Sequence, residues 1–527
     1  MSYKVLAFQE EAREKLFEGV KLLADAVVTT LSPKGRNVAI QRQWGSPIVV
    51  HDGVTVAREV DSREPLVYVG MALVREAAQK TNEEAGDGTT TATLLAYELI
   101  RGGLELIKEG VNPMVLRNQV YEVLPDLLSS LKTLSKPVKT KEQLEHVATI
   151  SSADAEVGRL VAEAVHKVGE EGMVTCEEGK GLTHEIEYTD GLQFNKGYLS
   201  HYFVTNTSRM ECVIEDPSIL LVSKNLTMNA EIVPILENIA KDNKNIVLIA
   251  DGVTGDALAT MVVNKMKAIV NCVAVLAPGI GDKTPYYEDI AILTGGKVVS
   301  KDSGIDPNIG IDWVGRADRV VVSRDNTVII GGKGKKEDIE KRIADLKKQI
   351  EDEKSPYEKE KLEERLAKLS TGVAVIKVGA KTEVEMREKI ERVKDAIGSA
   401  TAARDEGIIV GGGSVFIQMA KIIKGNSEGE KLLKQVLEAP TRKIMSNCGE
   451  PMDVINDTVK KIWADESNSL GYEVNKGEFL DLKKEGIVDP AKVIRLALEN
   501  AIGVGTSILT TDATIAIKFE KSDRKQN

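Results

Sequence analysis

Residues 9–31 carry Leu16, Val20, Leu23, Val27 and Leu31 three or four positions apart, which predicts a helix with one apolar stripe. The stripe stops at Leu31-Ser32-Pro33-Lys34-Gly35-Arg36-Asn37, a run of turn-forming residues. Short β-like runs follow (VAI, PIVVHDG), and a helical pattern, LVYVGMALVREAAQKT, leads into NEEAGDGTTTAT at residues 82–93. The run ATLLAYELIRGG then continues as helix. Asn112-Pro113 supplies an N-cap and a first-turn proline for another helix, and the chain reads as mostly helical to residue 133. The texture changes near Ser135-Lys136-Pro137 and again at Asp190-Gly191. Strand patterns appear at GMVTCEEG and LTHEIEYTDG, and β-branched runs at 219–223, 245–250 and 272–278 then alternate with helical runs such as AEIVPILENIAKD. That alternation predicts a distinct α/β domain in the middle of the chain.

Residues 335–370 read as two charged helices. Ile339, Ile343, Leu346 and Ile350 line one stripe, Leu362, Leu366 and Leu369 another, and Ser355-Pro356 breaks between them as in an αα-hairpin. A further strand, GVAVIKVGA, precedes a return to helices from residue 382. The outer segments resemble each other and the middle differs, as expected for a domain inserted into a helical one.

At 527 residues the chain needs two to four domains. Its net charge of −11 disfavours a nucleic-acid partner, which normally meets a basic face. Cys176, Cys212, Cys272 and Cys448 include no CxxC pair and the five histidines no HExxH, so no zinc signature is present and free thiols are expected. No apolar run approaches the roughly 20 residues of a membrane helix, and the first residues are charged early. A cytosolic location without a membrane partner is the expectation.

Candidate chemistry centres on Gly86-Asp87-Gly88-Thr89-Thr90-Thr91. Glycines let backbone approach a bulky ligand, a helix start offers free N–H groups to an anion, and Asp87 suits a hard cation. The stretch reads as a magnesium–phosphate cradle; the alternative is a Gly-rich loop capped by threonines. Similar pairs of readings hold elsewhere. Asp52-Gly53 alone fits a hairpin turn, Asp489-Pro490 an N-cap with a first-turn proline, and Gly411-Gly412-Gly413 a tight helix contact. No GxxxxGK[ST] occurs. Asp395 alone reads as a solvated helix-face residue. Tyr198, Tyr202 and Phe203 cluster in an aromatic-poor chain, and with Val233, Leu236, Leu258, Val262 and Val263 they form either domain core or an exposed apolar groove.

Taken together, LSPKGRN, HDGVTVARE, NEEAGDGTTTAT, GYLSHYF, GDALATMVVN, KLSTGVAVIKVGA, EVEMREK, EGIIVGGG and GIVDPAKV resemble, in order and spacing, the group I chaperonins of the GroEL type, over residues 3 to 520. The resemblance implies an α/β multidomain chaperonin fold. A mainly helical equatorial ATPase domain would comprise 1–133 and 407–527, a small α/β intermediate domain 134–190 and 373–406, and an inserted α/β apical domain 191–372. Pro137, Gly191, Gly372 and Gly407 match the hinge positions. It implies ATP and magnesium, with potassium as a further candidate ion. Thr30, Leu31, Ser32, Pro33, His51, Asp87, Gly88, Thr89, Thr90, Thr91, Gly412, Glu473, Val474, Asn475 and Asp489 would surround the nucleotide, with Asp87 on the metal. Asp52 would lie near the γ-phosphate, and Asp395 would position or activate the attacking water.

The same resemblance implies an apical groove of Tyr198, Tyr202, Phe203, Val233, Leu236, Leu258, Val262, Val263 and Asn264 for non-native polypeptides and a GroES-like lid. It also implies a seven-membered homo-oligomeric ring, two rings being stacked. Ser32 replaces the usual glycine of the phosphate loop, His51 a usual lysine, Gly449-Glu450-Pro451 lacks one glutamate, and the end reads KSDRKQN without a Gly-Gly-Met tail. The function implied is ATP-dependent folding of captured chains. A passive holdase or structural ring stands as the alternative, and a small-molecule kinase as a weaker one.

Overall fold

A computed structural model of the chain describes residues 2–41, 47–50, 52–169, 172–179, 181–207, 209–279, 281–299, 311–353, 355–370 and 372–519. Two compact units result: Met1–Glu163 with Arg387–Asn527, and Ala164–Met386. The first is assembled from both ends of the sequence, while the second is one continuous stretch.

In the first unit the apolar stripe over 9–31 becomes the helix Gln9–Val27, followed by a 3-10 turn, Val28–Thr30. Leu16, Val20, Leu23 and Val27 are all buried. This helix crosses Pro65–Ala85 at a pair of glycines. A Cβ on Gly19 would stand 1.9 Å from the Val67 carbonyl oxygen, and one on Gly70 2.0 Å from that of Leu16. The backbones therefore touch, and no larger residue fits. The helices Thr89–Lys108 and Ala491–Leu509, about 400 positions apart in sequence, share one aliphatic core through Leu95, Leu99, Ile100, Leu498, Ile502 and Leu509. Burying each such side chain is worth about 1.5–3 kcal/mol, so tertiary packing rather than helix propensity holds these elements.

The hairpin Val38–Ile40 with Ile48–Val50 forms where β-like runs were expected. Helix Pro113–Leu134 begins as its sequence suggests, with Asn112 accepting from the Met114 and Val115 N–H groups. An element the sequence reading did not anticipate is a two-stranded ribbon of the chain's two ends: Ser2–Phe8 runs antiparallel to Ala513–Phe519, with Val5 opposite Ala516. Its inner face buries Ala7 and Ala516, while Tyr3, Leu6, Phe8, Ile515 and Ile517 stay exposed.

The second unit is α/β, as its alternating runs imply. Among the described residues its larger sheet has eight strands. Asn271–Leu276, Asn245–Val253 and Ser218–Leu226 lie parallel, and Gly315–Val322, Thr327–Gly332 and Gly191–Phe194 extend it antiparallel. A smaller sheet has Val373–Val378 at its centre, parallel to Met173–Glu178 and antiparallel to Glu185–Thr189. The charged pair of helices is present as Lys336–Asp352 and Pro356–Ser370. None of the described helices is long and apolar enough to cross a membrane.

One buried charge cluster ties that helical pair to the rest of its unit. Asp289, on helix Thr284–Thr294, accepts from Arg365 Nε at 2.7 Å and Nη2 at 2.9 Å, and from Arg342 Nε at 2.8 Å. Asp289 and Arg365 are both buried. Removing one partner of such a group strands the other charge without solvent. Asp289→Ala is therefore expected to destabilise this unit by about 3–5 kcal/mol. Limited proteolysis should detect the loss as cleavage within residues 336–370; resistance equal to the wild type would contradict it.

Candidate functional site

Gly86, Asp87 and Gly88 join two long helices in three residues. Gly86 ends Pro65–Ala85 at φ +74°, and Gly88 precedes Thr89–Lys108 at φ +94°. Both values lie in the left-handed region that residues with a Cβ rarely adopt. The first intrahelical bond of the second helix is Ala92 N–H to the Gly88 carbonyl at 2.9 Å, and no side chain caps the start. The N–H groups of Thr89, Thr90 and Thr91 thus have no intrahelical acceptor. Thr89 Oγ1 is buried and finds no hydrogen-bond partner among the described residues. The threonine side chains do not cap the helix start.

Neighbouring segments crowd this helix start. A Cβ on Gly53 would lie 2.2 Å from Thr90 Oγ1 and 3.5 Å from Thr30 Oγ1, so three sequence-predicted pieces converge there. Asp52 is not in a hairpin turn. It caps the helix Gly53–Glu59, accepting from Val54 N–H at 2.9 Å, Thr55 N–H at 2.8 Å and Thr55 Oγ1 at 2.8 Å. His51 lies outside the described residues.

Asp87 and Asp489 form the electrostatic centre. Asp87 Oδ1 accepts the Gly88 N–H at 2.6 Å, and Oδ2 accepts from Ser151 Oγ at 3.1 Å and Ser399 Oγ at 3.0 Å. Burial holds the Asp87 carboxyl above the usual carboxylate range; the three hydrogen bonds oppose the rise and the Asp52 charge adds to it. Burial likewise pushes the Asp489 carboxyl up to about 7, with the Asp87 charge adding. Asp489 is not a helix cap. It sits in the strand Val488–Pro490 opposite Ile409, and Pro490 precedes helix Ala491–Leu509 without a side-chain cap.

The loop after the first helix is held by Asn447, whose Nδ2 donates to the Val28 carbonyl at 3.0 Å and the Leu31 carbonyl at 2.9 Å. Thr30 Oγ1 donates to Val27 O at 2.8 Å, Leu31 is half-buried and Pro33 is exposed. Ser32 adopts φ +86°, a conformation that its Cβ makes costly by roughly 1–3 kcal/mol. Its Oγ lies 3.7 Å from Cys448 Sγ. Lys34 Nζ reaches the Val474 carbonyl at 2.5 Å, joining this loop to the hairpin Leu470–Glu473 with Glu478–Asp481. Glu473 is buried and accepts the Asn475 N–H at 3.1 Å and that of Lys476, so its carboxylate serves its own turn; the Asn475 side chain is exposed. Gly412, at φ +63°, faces Leu482 and the Tyr472 carbonyl.

Asp395 is half-buried on helix Glu383–Glu406, four residues before Ser399 and so on the same face. Sequence reasoning missed Ser151, Ser399, Gly398 and Asn447. A Cβ on Gly86 would be 2.3 Å from the Gly398 Cα, so the helix rests directly on the cradle backbone. The unusual glycine within a helix is the one signal that could have flagged this contact.

In the second unit the apolar candidates separate by exposure. Tyr202 is 64% exposed and Val263 46%, while Val233, Leu258, Val262 and Asn264 are half-buried. Phe203 is fully buried, and Leu236 and Tyr198 are nearly so, packed in the sheet core. Those three therefore offer little or no surface, because their sides of the segments face the core. Exposed Met228, Met266 and Ile269, at the ends of helices Asn229–Ala240 and Gly255–Met266, extend the apolar surface beyond the residues expected.

Comparison with known proteins gives the family. The chain resembles the crystal structure of chaperonin gp146 from the bacteriophage EL 2 (Pseudomonas aeruginosa) in the presence of ATP-BeFx, crystal form II, with 19% identity and a TM-score of 0.68 over 98% of this chain and 100% of that one. Crystal form I of the same protein matches with 19% identity and a TM-score of 0.62, over 98% and 99%. The model of the TCP-1/cpn60 chaperonin family matches residues 23–518. With the multidomain α/β fold and nearly the whole length accounted for, this chain belongs to the TCP-1/cpn60 chaperonin family.

Proposed function

We propose that the chain is an ATP-hydrolysing chaperone subunit that captures non-native polypeptides on apolar surface of its second unit and releases them for folding as nucleotide turns over. The observation that carries this reading is the bare helix start at Thr89, with its buried, unpartnered hydroxyl beside Asp87. Phosphate oxygens would accept from the N–H groups of Thr89, Thr90 and Thr91, aided by the helix dipole. Among the described residues, no three His, Cys, Asp or Glu side chains close on one point. Asp87 would accordingly hold magnesium with phosphate oxygens and water as the other ligands, which suits that ion's octahedral preference. An ion held there would supply neutralisation of charge on the phosphates. Asp395 would orient the attacking water, a positioning role typical of phosphoryl transfer. Asp52 would stay a helix cap at the phosphate side, and Asp489 would complete the acidic wall. Potassium is a further candidate ion.

The domain reading proposed within this frame divides the chain into equatorial (1–133, 407–527), intermediate (134–190, 373–406) and apical (191–372) parts. Assembly into a seven-membered ring, with two rings stacked, is part of the same proposal; the exposed apolar residues on the end ribbon and Val49 on the first hairpin support contact with partner chains, not a particular number of them. A GroES-like lid would share the apolar surface with captured chains, in a cytosolic setting. The second reading, a passive holdase, is favoured by Ser32, whose strained backbone lies in the loop expected to hug phosphate.

Three outcomes follow from this reading. Asp395→Ala should retain nucleotide binding and lose at least about 100-fold in steady-state ATP turnover, in line with acid–base or water-orienting roles; equal turnover in both proteins would remove Asp395 from the chemistry. Substituting Tyr202→Ser or Val263→Ser should weaken suppression of aggregation of an unfolded test protein severalfold, and a holdase would suppress it equally with and without ATP. The third concerns pH. With its folded pKa raised, Asp489 contributes stability below the unfolded carboxylate range and loses it as pH rises through about 7. Magnesium with nucleotide should then raise Tm by a few degrees more at pH 8 than at pH 6, and Asp489→Asn should flatten that difference.

A further inference from the structure

Asp87 is held by more than its own loop. A carboxylate offers about four acceptor positions. The Gly88 N–H takes one on Oδ1, and the hydroxyls of Ser151 and Ser399 take two on Oδ2. One acceptor position is left, on Oδ1. The hydroxyls come from two helices outside the cradle loop, Lys141–Ser152 and Glu383–Glu406, and their oxygens lie 3.1 Å apart. Ser399 is buried, and its distance from the carboxylate is set by backbone packing, because Gly398 rests on Gly86 with no room for a Cβ on either.

We infer that Ser399 and Ser151 are positioning residues that clamp Oδ2 of Asp87 and thereby present Oδ1 as the cation-ligating oxygen of the nucleotide site. The inference rests on the magnesium–nucleotide reading of the cradle and names residues that reading does not use. Magnesium tolerates little deviation from octahedral geometry, so an Asp87 free to rotate binds it less well. Partners that orient a ligand in this way typically contribute 10–100-fold to metal affinity. Ser399 has a second consequence. Asp395 stands one turn away on the same helix face, about 6 Å along the axis, so the hydroxyl also registers the water-orienting residue against the metal-bearing one.

The test uses the full chain, a non-hydrolysable ATP analogue and Mn²⁺ followed by electron paramagnetic resonance, so the readout is binding rather than turnover. Ser399→Ala and Ser151→Ala should each weaken Mn²⁺ binding about 10-fold or more, while analogue binding in EDTA and Tm stay at wild-type values. Ser151→Thr, which keeps the hydroxyl at a half-buried position, should retain wild-type Mn²⁺ affinity. Wild-type Mn²⁺ affinity in both alanine variants overturns the inference alone. A parallel fall in EDTA binding and in Tm assigns the serines a merely structural part and also overturns it. No cation-dependent binding in the wild type overturns the cradle reading itself.

Discussion

The contact of Gly86 with Gly398 is the constraint on which the rest of the first unit depends. These residues are more than 300 positions apart, and their backbones meet with no space for a Cβ. Around that contact the Asp87 carboxylate, the bare start of Thr89–Lys108 and the hydroxyls of Ser151 and Ser399 are brought into register. A side chain at either glycine would separate the helix Glu383–Glu406 from the loop and dismantle the group together. Such close approach is stable because burial on both sides compensates for it. Ala85, Ala402, Val493 and Leu496 form a small apolar cluster beside the crossing.

The acidic centre illustrates how a fold can carry an unfavourable arrangement. Asp87 and Asp489 repel each other in a buried setting, and desolvation raises both carboxyls. Among the described residues, neither is hydrogen-bonded to an arginine or lysine. Contrast Asp289, which is more fully buried and is matched by two guanidinium groups. One cluster is held together by matched charges; the other keeps two carboxyls whose protons are hard to remove, a pattern found where a cation or a proton is part of the task.

Much of the architecture is legible in local chemistry. The Asn112-Pro113 helix start, the break at Ser355-Pro356 and the β-branched runs of the second unit all rest on near-neighbour physics. Pairings of short strands do not. Ile408–Val410 and Val488–Pro490 have three residues each, too few for a period, and the partner of Ser2–Phe8 lies some 500 residues away. The two Asp sites exchanged their local alternatives: Asp52 looks like a turn residue and caps a helix, whereas Asp489 looks like a cap and lies in a strand. Ser151 and Ser399 were illegible because a serine in a helix is commonplace until its carboxylate partner is seen. Periodicity marked Phe203 and Leu236 as apolar but not which side meets water.

The ribbon of Ser2–Phe8 with Ala513–Phe519 has a consequence for biosynthesis. The second unit is continuous and can fold while the chain is still emerging from the ribosome. The first cannot be completed until Ala513–Phe519 is made, which at about 5–20 residues per second leaves its opening strand and helices waiting roughly half a minute to two minutes. Throughout that interval Leu16, Val20 and Leu23, and the half-built core around Leu95 and Leu99, lack the C-terminal helix that covers them. A chain of a chaperonin family thus carries, during its own synthesis, uncovered apolar surface of the kind that chaperones meet.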